Sequence, residues 1–310
     1  MPKAGRLPRL DGEASGAMTR DPAFGPTLVF GASSQIGFFQ LPMLVERGAR
    51  VLAVSRSERA ERDGVTWLRG GLPDQLSHDV AEIEAIASFG PMDALAAWLD
   101  RAPLPALRRV VATSSMSAES KRNSPVAAER ALAQRLRDAE AALASVCDKL
   151  GVAWTVLRPT LIYGAGMDRS LTPLARRAMR THVFALPPGR GLRQPVHAQD
   201  IARAVIAALQ RPQGAGCIIP IGGGERISAA QMFARVRRSL PVRTLPVPVP
   251  RIAVSLAQRL PDLRGPLSRL DQDLIADNAE LERLLDIHPR GFMPDAKMWD
   301  SSAEVVHEPR

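Results

Sequence analysis

Thr27-Leu-Val-Phe-Gly31-Ala-Ser-Ser-Gln-Ile-Gly37 is the stretch that decides the fold. A short apolar run closes on a glycine, and a helical pattern then runs over Gln35–Arg47 until Gly48 stops it. In a strand–turn–helix unit of this kind, backbone N–H groups and the positive end of the helix dipole face a pyrophosphate. Gly31 permits the tight turn and Gly37 permits close helix–strand packing. Ser34 occupies the middle position, where glycine is usual. Ser33, Ser34, Gln35 and Ile36 complete the candidate cofactor cradle, and a plain βα turn is the alternative.

Further short apolar runs follow at Arg50–Ser55, Val65–Leu68, Ala94–Leu99, Arg109–Thr113, Trp154–Leu157 and Cys217–Ile221. Most do not alternate, as expected of strands buried on both faces, and helical stretches separate many of them. The pattern predicts an α/β fold with a Rossmann-type, doubly wound parallel sheet and a small C-terminal substrate lobe. The expected division is a loose N-terminal extension over 1–25, a dinucleotide-binding core over 26–165, and a mixed lobe over 166–310. Core elements are expected to return at about 194–223. The longest helix is predicted from Pro125 to Leu150, closed by Gly151. Two more are predicted near 251–260 and 267–285, and Pro241–Pro250 is expected to be extended.

Composition narrows the class. The chain has 310 residues, 45% of them hydrophobic and 24% charged, as in an ordinary globular protein. No long uncharged apolar run occurs, so no membrane span is expected. Cys147 and Cys217 are too few for a disulfide scaffold and suggest a reducing, cytoplasmic setting. The five histidines are scattered, and no metal site is expected. The net charge of +9 raises nucleic acid as a partner. Taking the four lysines (Lys3, Lys121, Lys149 and Lys297) from 41 basic residues leaves 37 arginines, and these are spread along the chain. With one tyrosine there is little to stack on bases, so the reading is a solvated arginine surface and no nucleic-acid partner.

Four more segments, in order, carry a resemblance: Thr113-Ser-Ser115, Leu157-Arg-Pro-Thr-Leu-Ile-Tyr-Gly164, Arg193-Gln-Pro-Val-His197-Ala-Gln-Asp200 and Ile221-Gly-Gly-Gly-Glu225. With the glycine turn they make residues 27–235 resemble the extended short-chain dehydrogenase/reductases, the NAD(P)-dependent epimerase/dehydratase group. The resemblance implies a nicotinamide cofactor and a nucleotide sugar or related phosphorylated small molecule as substrate. A homodimer is left open.

The strand ending Val54-Ser55-Arg56-Ser57, with Arg59 close behind, carries no carboxylate for a ribose 2′-hydroxyl. An arginine there accommodates a 2′-phosphate, so NADP is favoured through Arg56, with NAD as the alternative. Asp74 is the only acidic residue near the end of the third strand.

The resemblance places Thr113 at the cofactor, Ser115 as the substrate-orienting hydroxyl and, on the substrate side, Arg193 at the nucleotide diphosphate, Tyr163 packing or lining the cleft, and His197, which with Asp200 is expected chiefly to order the segment leading into the helix near Ile201. It also implies a Tyr-x-x-x-Lys pair, which is missing here. Counting back from Arg158 puts Leu132 and Leu136 at those two places and Glu140 at the acidic position one turn on. The chain is thus read as an atypical member lacking that pair, with Lys121, Glu129 or a substrate-bound water as a replacement base. Arg122, beside Lys121, is a second candidate. The alternative is a non-catalytic NADP-binding regulator or assembly subunit.

Arg169, Arg176, Arg177 and Arg180 add positive charge to the second lobe, either as a solvated face or as an attraction for phosphate. Val247–Leu260, apolar with Arg251 and Arg259, is expected to be buried in that lobe; lying at an anionic interface is the alternative.

Overall fold

The computed structural model describes residues 24–299 apart from 75, 77, 251 and 253–268. The expected N-terminal extension, apart from its last two residues, and the expected helix near 251–260, apart from Ile252, lie outside the described residues.

Seven parallel strands form the central sheet: β1 (Thr27–Phe30), β2 (Val51–Ser55), β3 (Val65–Arg69), β4 (Ala85–Ser88), β5 (Arg109–Thr113), β6 (Ala153–Pro159) and β11 (Cys217–Ile221). Their order is β11-β6-β5-β4-β1-β2-β3. Chain progression reverses between β1 and β4, the switch point at which open α/β sheets bind ligands. Four of the strands, β1, β2, β4 and β5, are buried at nearly every position, so both sheet faces are covered, as the non-alternating runs predict.

Helix α1 (Gln35–Glu46) and helix α6 (Ala198–Gln210) pack on one face through Ile36, Leu41, Leu44, Ile201 and Val205. Helices α2 (Met92–Leu99) and α4 (Ala127–Leu150) cover the other through Leu95, Trp98, Leu143 and Cys147. Burial pushes the Cys147 thiol up to about 12, and it behaves as an inert apolar group. Gly151 ends α4 with a left-handed φ of 68°, as its position after the helical run predicts.

One predicted strand is a helix. Ala94–Leu99 lies in α2, and the fourth strand is Ala85-Ile-Ala-Ser88. Met92, Leu95, Ala96 and Leu99 are buried at helical spacing, and Pro91 sits at the N-cap. Ala94 and Ala97 sit on the open side of this helix, so Ala94–Leu99 is a continuous apolar run that reads like a strand, while the true strand is short and alanine-rich. Within the predicted 267–285 helix, the described α-helix is α8 (Ala279–Leu285), preceded by a 3₁₀ turn at Arg269–Asp271.

Between these core elements lie the short helix α3 (Ser117–Ser120) and the lobe. The lobe comprises β7 (Ile162–Tyr163), α5 (Thr172–Thr181), β8 (Val183–Leu186), β9 (Leu192–Arg193), β10 (Val196–His197), β12 (Ile227–Ser228), α7 (Ala229–Arg238) and β13 (Leu245–Pro248). Its apolar cluster joins Tyr163, Leu171, Phe184, Met232, Phe233, Phe292 and Trp299. No described helix is long and apolar enough to cross a membrane.

Candidate functional site

The turn after β1 leads straight into α1. Gly31 adopts φ 68° and lies against the Phe89 backbone, where a Cβ would sit 3.1 Å from its carbonyl carbon. Ser34 caps the helix, its hydroxyl accepting from the Gly37 N–H at 3.3 Å. The opening N–H groups of a helix have no intrahelical partner. With Gly37 capped, those of Gln35 and Ile36 remain available, and no acidic residue occupies the first turn. This donor set suits an anion at the switch point.

A cavity of about 320 Å³ adjoins the turn, lined by Ala32, Ser33, Ser34, Phe38, Arg59, Arg62, Trp67 and Met167, among others. Arg59, whose Nε donates to Ser55 Oγ at 3.2 Å, reaches this cavity. Arg56 is exposed, and its aliphatic stem lies over Gly71, whose built Cβ would be 3.2 Å from Arg56 Cγ. The two arginines therefore take different places, and Asp74 lies beyond them in an exposed turn after β3.

Across the switch point, Thr113 Oγ1 donates to the Ser88 carbonyl at 3.4 Å. Ser114 Oγ donates to Glu140 Oε1 at 2.5 Å, and Arg158 grips the same carboxylate with Nε at 2.8 Å and with a second N–H. Arg158 also bonds Glu119 at 2.8 Å. Glu140 is 2% exposed, so this pair locks α4, β5 and β6 together beneath the site. Ser115 is half-buried and its Oγ accepts from Ser117 N–H. Lys121, also half-buried, caps the end of α3.

Leu132 and Leu136 are half-buried on α4, one and two turns before Glu140 and on the same face. Glu140, further along that face, meets Ser114. Neither leucine can hold a proton. One turn before Leu132 on this same face, Glu129 is buried and accepts from Ser124 Oγ at 2.6 Å. Arg122 is exposed.

The remaining predicted residues lie deeper than a cleft surface. Tyr163 is fully buried, its ring edge-on to His197 and Phe292, and its hydroxyl is 3.5 Å from the Gly291 carbonyl. Burial pushes the phenol up to about 12. His197 caps α6, its Nδ1 accepting from Gln199 N–H at 3.1 Å, so Nε2 carries the ring proton. Gly164, at φ 119°, gives the ring room: a Cβ there would be 2.3 Å from Nε2. Burial, with Arg290 nearby, holds the imidazole down at about 4. Arg193 is 6% exposed and donates to the Leu192 and Gln272 carbonyls at 2.9 and 2.5 Å.

Two long-range contacts escaped the sequence, although both segments were singled out in it. Asp200, fully buried, is paired by Arg290 at 2.9 Å from ninety residues along the chain, a separation that leaves no local signal. The glycines of Ile221-Gly-Gly-Gly-Glu225 are required by close approach. A Cβ on Gly223 would lie 2.1 Å from the Pro195 carbonyl oxygen, and one on Gly224 would lie 2.3 Å from that of Pro289. Among the described residues no group of His, Cys, Asp and Glu forms a metal site.

Residues 90–222 match the model of the NAD dependent epimerase/dehydratase family. That span holds Thr113–Ser115, α4 and the segments around Tyr163 and His197. No curated protein matches the chain. Among solved structures it is similar to MoeE5 bound to UDP-glucuronic acid and NAD, at 18% identity and TM-score 0.66, over 86% of this chain and 95% of that one. It is also similar to UDP-glucuronic acid 4-epimerase of Bacillus cereus with UDP-glucuronic acid and NAD (14% identity, TM-score 0.67, 91% and 100%). A third is UDP-glucose 4-epimerase of Thermotoga maritima with UDP-glucose (16%, 0.63, 91% and 98%). At these identities the likeness establishes a shared fold.

Proposed function

We propose that this chain, which carries the NAD dependent epimerase/dehydratase family domain over residues 90–222, binds a nicotinamide dinucleotide at the β1/β4 switch point and acts on a nucleotide sugar or related phosphorylated compound. The observation that carries the reading is the Gly31–Gly37 turn at the switch point, where Ser34 caps α1 and leaves its first N–H groups open. The Gln35 and Ile36 N–H groups would hold the pyrophosphate. Thr113, bound to Ser88, lies on the floor of the site.

Arg59 favours NADP over the NAD carried by the similar structures, because Arg59 and Arg62 line the cavity with Ser33 and Ser34 against one carboxylate, Glu61, and no carboxylate ends β2. Arg56 is placed to flank the adenosine.

A bound nicotinamide supplies hydride acceptance and return. On the protein side, Ser115 would orient the substrate hydroxyl and Lys121 would be the nearby proton-transfer group. Leu132 and Leu136, at the places where the resemblance implies a Tyr/Lys pair, would supply no proton. Arg193 would support the lobe's substrate segment through the Gln272 backbone, while Tyr163 and His197 set the shape of the wall behind it.

Those leucines also favour a second reading, a cofactor-binding regulator or assembly subunit without turnover. Calorimetric titration with NADP⁺ and NAD⁺, followed by nicotinamide absorbance after addition of UDP-sugars, tests both. Absence of binding to either dinucleotide sinks the proposal. Binding with no absorbance change and with no UDP-sugar converted when the products are separated by chromatography selects the regulator, since hydride acceptance and return leave the net absorbance unchanged.

A further inference from the structure

We infer that the β8–β13 ribbon, flanked by α5, is a docking face for an anionic lipid surface. The ribbon is parallel, with Leu245 paired to Val183 and Val247 to Ala185, so these four side chains share one face. All four are exposed, Leu245 at 65%, Val183 at 42% and Val247 at 40%, while Phe184 between them is buried in the lobe. Leu174 of α5, at 43%, extends the apolar surface across a groove of about 220 Å³ that Arg177 borders.

The charge around this face has one sign. No Asp or Glu occurs between Arg169 and Gln199, nor between Arg226 and Pro261. Arg177 and Arg180 of α5 and Arg243, just before β13, are exposed, and none of them forms an ion pair with a described residue. Apolar side chains inside a rim of cations are what an interface of acyl chains and anionic headgroups takes up.

The outer edge of β13 argues against a strand from a second copy adding there. Leu245 N–H bonds the His182 carbonyl and Val249 N–H bonds that of Leu186, so odd-numbered donors face inward. The outward positions are Pro246 and Pro248, which carry no N–H. With no aromatic ring on the face, stacking on nucleic-acid bases has no support either.

The test is flotation of the full chain with vesicles of phosphatidylcholine alone or mixed with phosphatidylglycerol. Binding is expected only to the anionic vesicles and is expected to fall with added salt. Each arginine at such a surface is worth about fivefold in affinity, so R177E/R180E should weaken binding by at least about 25-fold. L245S/V247S should weaken it as well, with the melting temperature unchanged because both side chains are exposed. Equal binding to both vesicle types, no binding, or an unchanged R177E/R180E variant overturns the inference. So does a dimer that L245S/V247S dissociates, or arginine-dependent binding of duplex DNA with vesicles ignored.

Discussion

Gly37 and Ala32 approach so closely that a Cβ on Gly37 would stand 2.2 Å from the Ala32 carbonyl oxygen. The obstructing atom is backbone, so no rotamer change relieves it. A methyl group at position 37 must lift the start of α1 away from β1, which displaces the Gln35 and Ile36 donors. Gly37→Ala is expected to cost about 1–3 kcal/mol in urea denaturation and to weaken dinucleotide binding in calorimetry by more than tenfold. Wild-type affinity in that variant would count against the turn as the cofactor site.

Arg59 and Arg56 should separate by cofactor. Arg59→Ala is expected to reduce NADP⁺ affinity by about 10- to 100-fold, the worth of a charge-assisted contact, and to leave NAD⁺ affinity nearly unchanged. Arg56→Ala, whose stem lies over Gly71, should affect the two cofactors alike. Paired titrations check this, and a selective NADP⁺ loss at position 56 instead would reassign the 2′-phosphate contact.

The apolar pair on α4 offers a gain-of-function measurement. Leu132→Tyr with Leu136→Lys is expected to raise nicotinamide turnover with a UDP-sugar by about 10²–10⁴-fold, the usual contribution of a placed acid–base group. No rise, with binding of cofactor and sugar intact, would show that the side chains at these positions do not reach the reacting carbon.

Glu140 is held by Ser114 and Arg158 and is almost wholly buried. Glu140→Ala strands a largely buried guanidinium and should cost about 3–5 kcal/mol, against a smaller loss for Glu140→Gln, which keeps an acceptor for Ser114. Equilibrium denaturation distinguishes the two variants, and equal losses would place the energy in packing rather than in the charge.

His197 gives a pH signature. Unfolded histidine titrates near 6.5, whereas the buried ring titrates at about 4. Between those values the unfolded chain takes up a proton that the folded chain refuses, so stability falls as pH drops from 6.5 to 4, by on the order of 3 kcal/mol. His197→Asn keeps a side chain able to cap α6 and should remove that part of the slope. An unchanged slope would locate the acid sensitivity in other groups.

The sequence alone determined the elements whose signals are local. The β1–turn–α1 unit, the long helix capped by Gly151 and the all-buried strands follow from glycine placement and hydrophobic period, which neighbouring residues fix. The segments around Ser115, Tyr163 and Arg193, and Leu132 and Leu136 where a Tyr/Lys pair is implied, were singled out by resemblance, and their roles belong to the proposal.

Tertiary structure decided what depends on distant partners. It made Ala94–Leu99 a helix buried on one face, because alanines on the open side hide the period that separates helix from strand. It put Arg59, rather than Arg56, beside Ser33 and Ser34, since a loop's path is set by what it packs against. It sank His197 and Tyr163 behind the site and joined Asp200 to Arg290 across ninety residues. Burial and long-range charge pairing are properties of the assembled core, and no window of sequence contains them.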